Sequence, residues 1–328
     1  VDLWGRVRDQ SGAAEARALA SEADMAAAQL SIAGQVASTW YDLRAARARL
    51  ALNEETAANL RSYLEVIERR YEAGLRSALD LRLARTEARA AESAASAGRQ
   101  EVDALTRSLE TLVGRYPAGL LASAEALPEL SAIPAVGLPA ELVGARPDLQ
   151  AAEARYAAAV REAGAARKLR LPRLSLTGGA GTASNNFEDL LDEDFGIWNL
   201  VAGLSAPIFQ SGRISSQIEL ASAAEEQALE RFAALLLNAY REVETALAAE
   251  TLLAEQAELR RGDVDEAAAL ETLAWSQYRR GVVDILTVLE AQRRAFTARS
   301  ALLNLENQRL RNRVRLLLAL GSSPAPAL

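Results

Sequence analysis

Cysteine and histidine are absent from this 328-residue chain. Without Cys no disulfide framework is possible, and the redox compartment is unreadable. Without either residue the usual zinc ligands are missing, and every Ser-His or Cys-His catalytic pair is excluded. Aromatic residues make up only 5% of the chain, so Ala and Leu supply most of its apolar surface. No apolar run approaches the ~20 residues that span a bilayer as a helix. The longest, around Phe232–Leu237 and Leu316–Leu320, are far shorter. Such a chain crosses a membrane only through strands closed into a barrel. A basic excess is lacking too: the net charge is −7, spread along the chain. That argues against a nucleic-acid partner, which needs a concentrated basic face. It also fits a water-filled path that disfavours anions.

What the chain does have is Ala, Leu, Glu, Arg and Gln in the proportions of long helices or coiled coils, and an internal repeat. Gly5-Arg6 recurs as Gly212-Arg213, an offset of 207 (212 minus 5). Tyr71-Glu72-Ala73-Gly74 recurs as Tyr278-Arg279-Arg280-Gly281, and Leu112-Val113-Gly114 as Ala319-Leu320-Gly321, at the same offset. Three landmarks in constant register make a duplication. In each copy a Pro-free helix is expected, over about Asp9–Tyr71 and about Ile214–Tyr278, each roughly 90–100 Å long if unbroken. A turn at Gly74 or Gly281 then leads into a returning helix over about Ala78–Val113 or Ile285–Leu320.

Gly just past the helix is the preferred left-handed cap. Arg69 and Arg70, with Arg279 and Arg280 in the second copy, are expected in the last turn, where cations suit the helix dipole. Ser77 and Asp284 are suited to cap the returning helices, Ser77 with Asp80 in the manner of a capping box. Both returning helices carry a seven-residue row, a coiled-coil seam: Leu81, Ala88, Ala95, Val102 and Leu109, then Val288, Ala295, Leu302, Arg309 and Leu316. The second copy has a further row, Leu289, Phe296, Leu303, Leu310 and Leu317, where the first has Arg82, Arg89, Ser96, Asp103 and Glu110. The second hairpin is therefore expected to bury more surface.

Between the hairpins, Pro117, Pro128, Pro134 and Pro139 with Gly119 and Gly137 exclude a long helix, so residues 115–145 read as a linker or small irregular belt. Arg146-Pro147-Asp148-Leu149 starts a helix to about Lys168, with Pro at its first position. Leu174–Thr177 begins an alternating strand that continues through Gly178–Gly181. After a polar, acidic loop at Asn185–Asp194, Trp198, Leu200, Ala202 and Leu204 alternate with Asn199, Val201, Gly203 and Ser205. Two such strands match a membrane β-barrel hairpin, with Trp198 where an interfacial aromatic belt sits. A soluble β-hairpin packed on the helices fits these residues equally well. Val1–Trp4 reads as the remnant of another strand in a processed or partial chain. Any signal peptide or lipid-anchor Cys is expected upstream.

Glu188, Asp189, Asp192, Glu193 and Asp194 lack the spacing of an EF-hand and read as an exposed loop. Gly178–Gly181 has no Lys-Ser/Thr after it and is not a phosphate loop. No carboxylate pair stands in a catalytic frame, so no enzyme is expected, and no cofactor or metal.

Arg146-Pro147-Asp148-Leu149, Ala152-Glu153, Ala166-Arg167 and Leu171–Leu176 resemble the second repeat of the TolC-like outer-membrane factors, closest to the OprM/NodT-type lipoprotein branch. Ala206-Pro207-Ile208-Phe209 with Gly212-Arg213 resembles that family's strand-to-helix junction. Tyr278–Gly281 followed by Leu286–Arg293 resembles its helical tip. The resemblance covers essentially the whole chain. It implies a mostly α fold of long antiparallel coiled-coil hairpins, forming a periplasmic tunnel, with strands of a trimeric twelve-stranded outer-membrane barrel.

It further implies a passive exit duct of a tripartite efflux or secretion system, working as a homotrimer with a periplasmic adaptor, an inner-membrane pump and outer-membrane lipid in a Gram-negative bacterium. Under it Leu286, Glu290 and Arg293 fall at the gate. Gly74, Leu75, Gly281 and Val282 fall at the tips that meet the adaptor, and Trp198, Leu200, Ala202 and Leu204 face the membrane. Taken without the resemblance, Glu290 is a solvated flank residue and the chain a soluble coiled-coil scaffold or adaptor, which has no need for the strand pair. Organised by repeat, residues 1–114 form a first copy, 115–145 the linker, 146–321 the second copy and 322–328 a tail. The second copy's start at Arg146 has no full partner before Gly5, so roughly sixty residues of the first copy are expected to lie outside the sequence.

Overall fold

The computed structural model describes residues 1–121, 127, 128, 130, 144–183, 185 and 196–324. The acidic loop at 188–194 and much of the Pro-rich stretch lie outside them. The elements run α1 (Arg6–Glu72), α2 (Ala78–Leu112), α3 (Pro147–Arg167), a 3-10 turn at Lys168–Arg170, β1 (Arg173–Thr182), β2 (Gly196–Ser205), α4 (Arg213–Arg279) and α5 (Ile285–Ala319). The bounds of α1 and α2 reappear 207 residues later as those of α4 and α5. No helix among the described residues is long and apolar enough to cross a membrane.

The chain divides into two compact units that cut across the two copies. The first holds residues 1–27 and 146–238. Its α3 starts at Pro147, whose missing N–H is one of the unpaired donors of a first turn. The buried Arg146 bonds Asp148 twice, at 3.0 and 2.7 Å. Lys168 Nζ donates to Asp9 Oδ2 at 2.6 Å and to the Gly5 carbonyl at 3.2 Å, tying the end of α3 to the start of α1. Pairs between Arg17 and Glu162 and between Arg155 and Asp24 continue that seam.

In the same unit β1 and β2 form an antiparallel two-stranded ribbon, with Leu174 opposite Leu204, Gly178 opposite Leu200 and Ala180 opposite Trp198. The strand expected over Val1–Trp4 is not formed. The Val1 amine donates to the Leu174 carbonyl at 3.0 Å and the Trp4 indole to the Pro172 carbonyl at 2.7 Å. That is not a ladder, and the backbone then bends through Gly5 (φ 72°) into α1.

The second unit holds residues 28–145 and 239–328. Its core is built where four helical segments meet at their turns. Leu60 and Ile67 of α1, Leu81 and Ala84 of α2, Tyr278 of α4 and Ile285, Val288 and Leu289 of α5 are buried together. The seven-residue rows face inward: Leu81, Ala88, Ala95 and Leu109 of α2 are buried, as are Val288, Ala295 and Leu316 of α5. Eight residues of α2 are buried against thirteen of α5, but fourteen of α1 are buried against seven of α4, so the expectation holds for the returning helix and not for the second hairpin as a whole. The first hairpin is laced by ion pairs at its surface: Arg49–Glu101, Arg61–Glu92, Arg85–Glu68 and Arg99–Glu54, at 2.5–2.9 Å. Each adds at most about 1 kcal/mol in water.

Candidate channel surfaces and helical tips

Both turns solve the same problem in the same way. A helix ends with unpaired carbonyls, and a glycine in the left-handed region folds the backbone onto them. Gly74 (φ 69°) donates to the Tyr71 carbonyl at 2.9 Å while Leu75 donates to that of Arg70 at 2.8 Å. Gly281 (φ 77°) and Val282 repeat this against Tyr278 and Gln277, both at 3.0 Å. Each returning helix is then capped: Ser77 Oγ accepts from the Asp80 N–H at 3.2 Å, and Asp284 Oδ1 accepts from the Thr287 N–H at 2.9 Å and hydroxyl at 2.8 Å. Those bonds from Thr287 hold the Asp284 carboxyl below the usual range. Arg280 falls one residue past α4, because the chain has already turned toward Gly281. At the exposed apex Leu75 and Val282 are 72% and 68% accessible.

One turn further along α5, Leu286 is 59% exposed. Glu290 pairs on its own helix with Arg293 and with Arg294, the latter at 3.0 Å. The hydrogen bonds from Arg294 and Arg293 hold its carboxyl below the usual range. Arg293 is thus paired with Glu290 on its own helix.

Behind these residues lies a cluster that sequence reasoning missed. Tyr278 is fully buried, whereas its copy-mate Tyr71 is 42% exposed. The Arg70 and Arg76 guanidiniums stand 4.9 and 4.8 Å from its ring centre. Arg70 also donates to the carbonyls of Tyr278 (3.3 Å) and Arg279 (3.0 Å), so a residue of the first hairpin caps the long helix of the second. Trp275 stacks on Tyr63 at 4.0 Å and on Tyr278 at 5.6 Å. Burial, with the Glu271 charge nearby, pushes the Tyr63 phenol up to about 12. The available signal was three aromatics near the turn in a chain where aromatics are scarce.

The ribbon supplies the other surface. By register, Leu174, Leu176, Gly178 and Ala180 share one face with Leu204, Ala202, Leu200 and Trp198. The other face carries Ser175, Thr177, Asn199 and Ser205, with Val201 and Ile197 among them. The apolar face lies open: Trp198 is 80% exposed, Leu200 63% and Leu204 75%. No further strand joins either edge among the described residues. An isolated two-stranded ribbon is marginally stable in water.

Residues 1–115 and 138–322 match the family described as outer membrane efflux protein. The chain belongs to that family. Among its relatives, the solvent efflux pump outer membrane protein SrpC of Pseudomonas putida is 34% identical over 323 residues, 98% of this chain and 68% of its own length. The crystal structure of a Pseudomonas aeruginosa membrane protein superposes with a TM-score of 0.94 at 32% identity, covering 98% of this chain and 73% of that one. A crystal structure of CusC, from work on folding and transmembrane channel formation, gives 0.91 at 29% identity, covering 98% and 75%. In this outer membrane efflux protein the long hairpins are the periplasmic part, and the β1–β2 ribbon belongs to the outer-membrane part.

Proposed function

We propose that the chain is one protomer of a homotrimeric exit duct through the outer membrane. It carries small molecules passively from an inner-membrane pump, through contact with a periplasmic adaptor, to the exterior. The observation that carries the reading is the ribbon: two ten-residue strands, apolar on one exposed face, with no further strand on either edge among the described residues. Unpaired edges are excluded from a bilayer, so the ribbon calls for further strands: three protomers supply six through this ribbon, and two more strands from each protomer's first copy complete a shared barrel of twelve. Trp198, Leu200, Ala202 and Leu204 then face lipid. A soluble scaffold would bury or lack such a face.

The resting duct is pinched at the tip by Leu286 and the paired Glu290–Arg293 of α5, and the adaptor engages the apex at Gly74, Leu75, Gly281 and Val282. The exposed apolar side chains of Leu75, Val282 and Leu286 support this, since open apolar surface clustered at one end of a helical hairpin suits a protein contact. Single-channel conductance of the full-length protein in planar bilayers tests the gate. Glu290→Ala frees Arg293 and Arg294 and is expected to raise the resting conductance several-fold. An unchanged conductance would remove Glu290 from the gate.

A further inference from the structure

The second hairpin holds one buried charged cluster, and the first holds none at the equivalent positions. Arg313 Nη2 donates to Glu250 Oε2 at 3.0 Å and its Nε to Oε1 at 3.3 Å. Asn312 Nδ2 donates to Glu250 Oε1 at 3.0 Å and to the Ala246 carbonyl at 2.9 Å. All three side-chain-bearing residues are buried. Their copy-mates 207 residues earlier are Leu43, Leu105 and Thr106, and Leu43 and Thr106 are buried without charge.

A buried ion pair is seldom a net source of stability against an apolar replacement, so its value lies in what it specifies. The turn at Gly281 already fixes which helix α5 pairs with and in what register. It leaves open how far α5 is rotated about its own axis. That angle is underdetermined by apolar pattern, because α5 carries two adjacent apolar rows, through Val288 and through Leu289. Either could be turned to α4.

We infer that Glu250, with Asn312 and Arg313, is a positioning cluster that sets the rotational angle of α5. Turning α5 by one row would drag the Arg313 guanidinium from its carboxylate while still shielded from water, a loss that apolar packing does not offset. In the frame of the seven-residue rows, at about 3.5 residues per turn, Leu286 and Arg293 lie roughly 100° and Glu290 roughly 150° round the helix from Arg313. Clamping Arg313 to α4 therefore aims those three outward. The rotational claim stands without the gate reading; only its consequence for conductance rests on it.

These 328 residues contain no Cys, and the full-length protein without an introduced Cys supplies the background rate. Leu286→Cys and Val288→Cys are introduced singly into the full-length protein, and their reaction rates with a charged thiol reagent are compared. Position 286 is open and 288 is fully buried, so with the cluster intact the rate ratio is expected to exceed tenfold. In Glu250→Leu, and in the triple variant Glu250→Leu/Asn312→Leu/Arg313→Thr that installs the first hairpin's residues, the ratio is expected to fall to threefold or less.

The triple variant keeps the test open if the single one does not fold. A ratio unchanged in either folded variant overturns the inference, because the apolar rows alone would then set the angle. A triple variant that fails to assemble also overturns it, because the cluster would be holding the fold together and not setting an angle. A collapsed ratio with unchanged conductance keeps the positioning role and removes the gate reading instead.

Discussion

Gly74 and Gly281 occupy a backbone region that costs a residue with a Cβ about 1–2 kcal/mol. Nothing lies within 4 Å of where a Cβ would be placed at either position, so the cost of substitution is conformational and not steric. Gly281→Ala is therefore expected to destabilise the second hairpin by about 1–2 kcal/mol, read as a lower midpoint for thermal loss of the helical signal. The aromatic cluster differs in kind. Tyr71 and Tyr278 are the same residue at the same place in the repeat, and one is exposed while the other is fully buried between Arg70 and Arg76. No local property of the two tyrosines distinguishes them. What does is the copy-mates of the arginines, Gln277 and Val283, which carry no charge.

Helices and turns follow closely from local chemistry. The Pro-free, Ala-rich runs become helices of 67 and 35 residues in both copies, stopped by the same glycines. The first returning helix adds an anchor at its far end that its pattern of charges did not advertise. Glu110 stands in the polar row of α2, yet it is buried and accepts the N–H groups of Gly119, Leu120 and Leu121 at 2.7, 2.8 and 3.1 Å. The bond from Gly119 leads in holding its carboxyl below the usual range. A depressed folded-state value means the anchoring is complete above the ordinary glutamate value of 4.5 and is lost as pH falls through the lower folded value. Protection of the Gly119–Leu121 amides, taken relative to their intrinsic exchange rate at each pH, should thus fall as pH drops below about 4.5. Glu110→Gln should show raised exchange already at neutral pH, because a carboxamide is a weaker acceptor than a carboxylate.

For the whole molecule the ribbon makes the sharpest prediction. If its apolar face meets lipid, Leu200→Arg should cost about 2–4 kcal/mol near the bilayer midplane and block assembly of the folded trimer in membranes. Thr177→Arg, on the opposite face and paired with Val201, should be tolerated in assembly and alter conductance instead. Equal assembly of both variants, measured as the folded gel-shifted species, would show that the two faces do not divide lipid from lumen.

Helix bounds, glycine turns and the alternation of the strands were set by the sequence alone, because each depends on residues a few positions apart. The heavier burial of the second returning helix was also legible, in its extra apolar row, of which Leu289 and Leu310 are buried. Tertiary structure decided which of two duplicate tyrosines is buried, that Arg70 caps a helix 208 residues away, and that Glu250 meets Arg313. It also decided that Val1–Trp4 lies against Pro172 and Leu174 without forming a strand. These outcomes share one physical cause. A duplicated sequence offers similar local preferences twice, and substitutions such as Arg70 against Gln277 or Leu43 against Glu250 take effect only through the neighbours that the fold supplies.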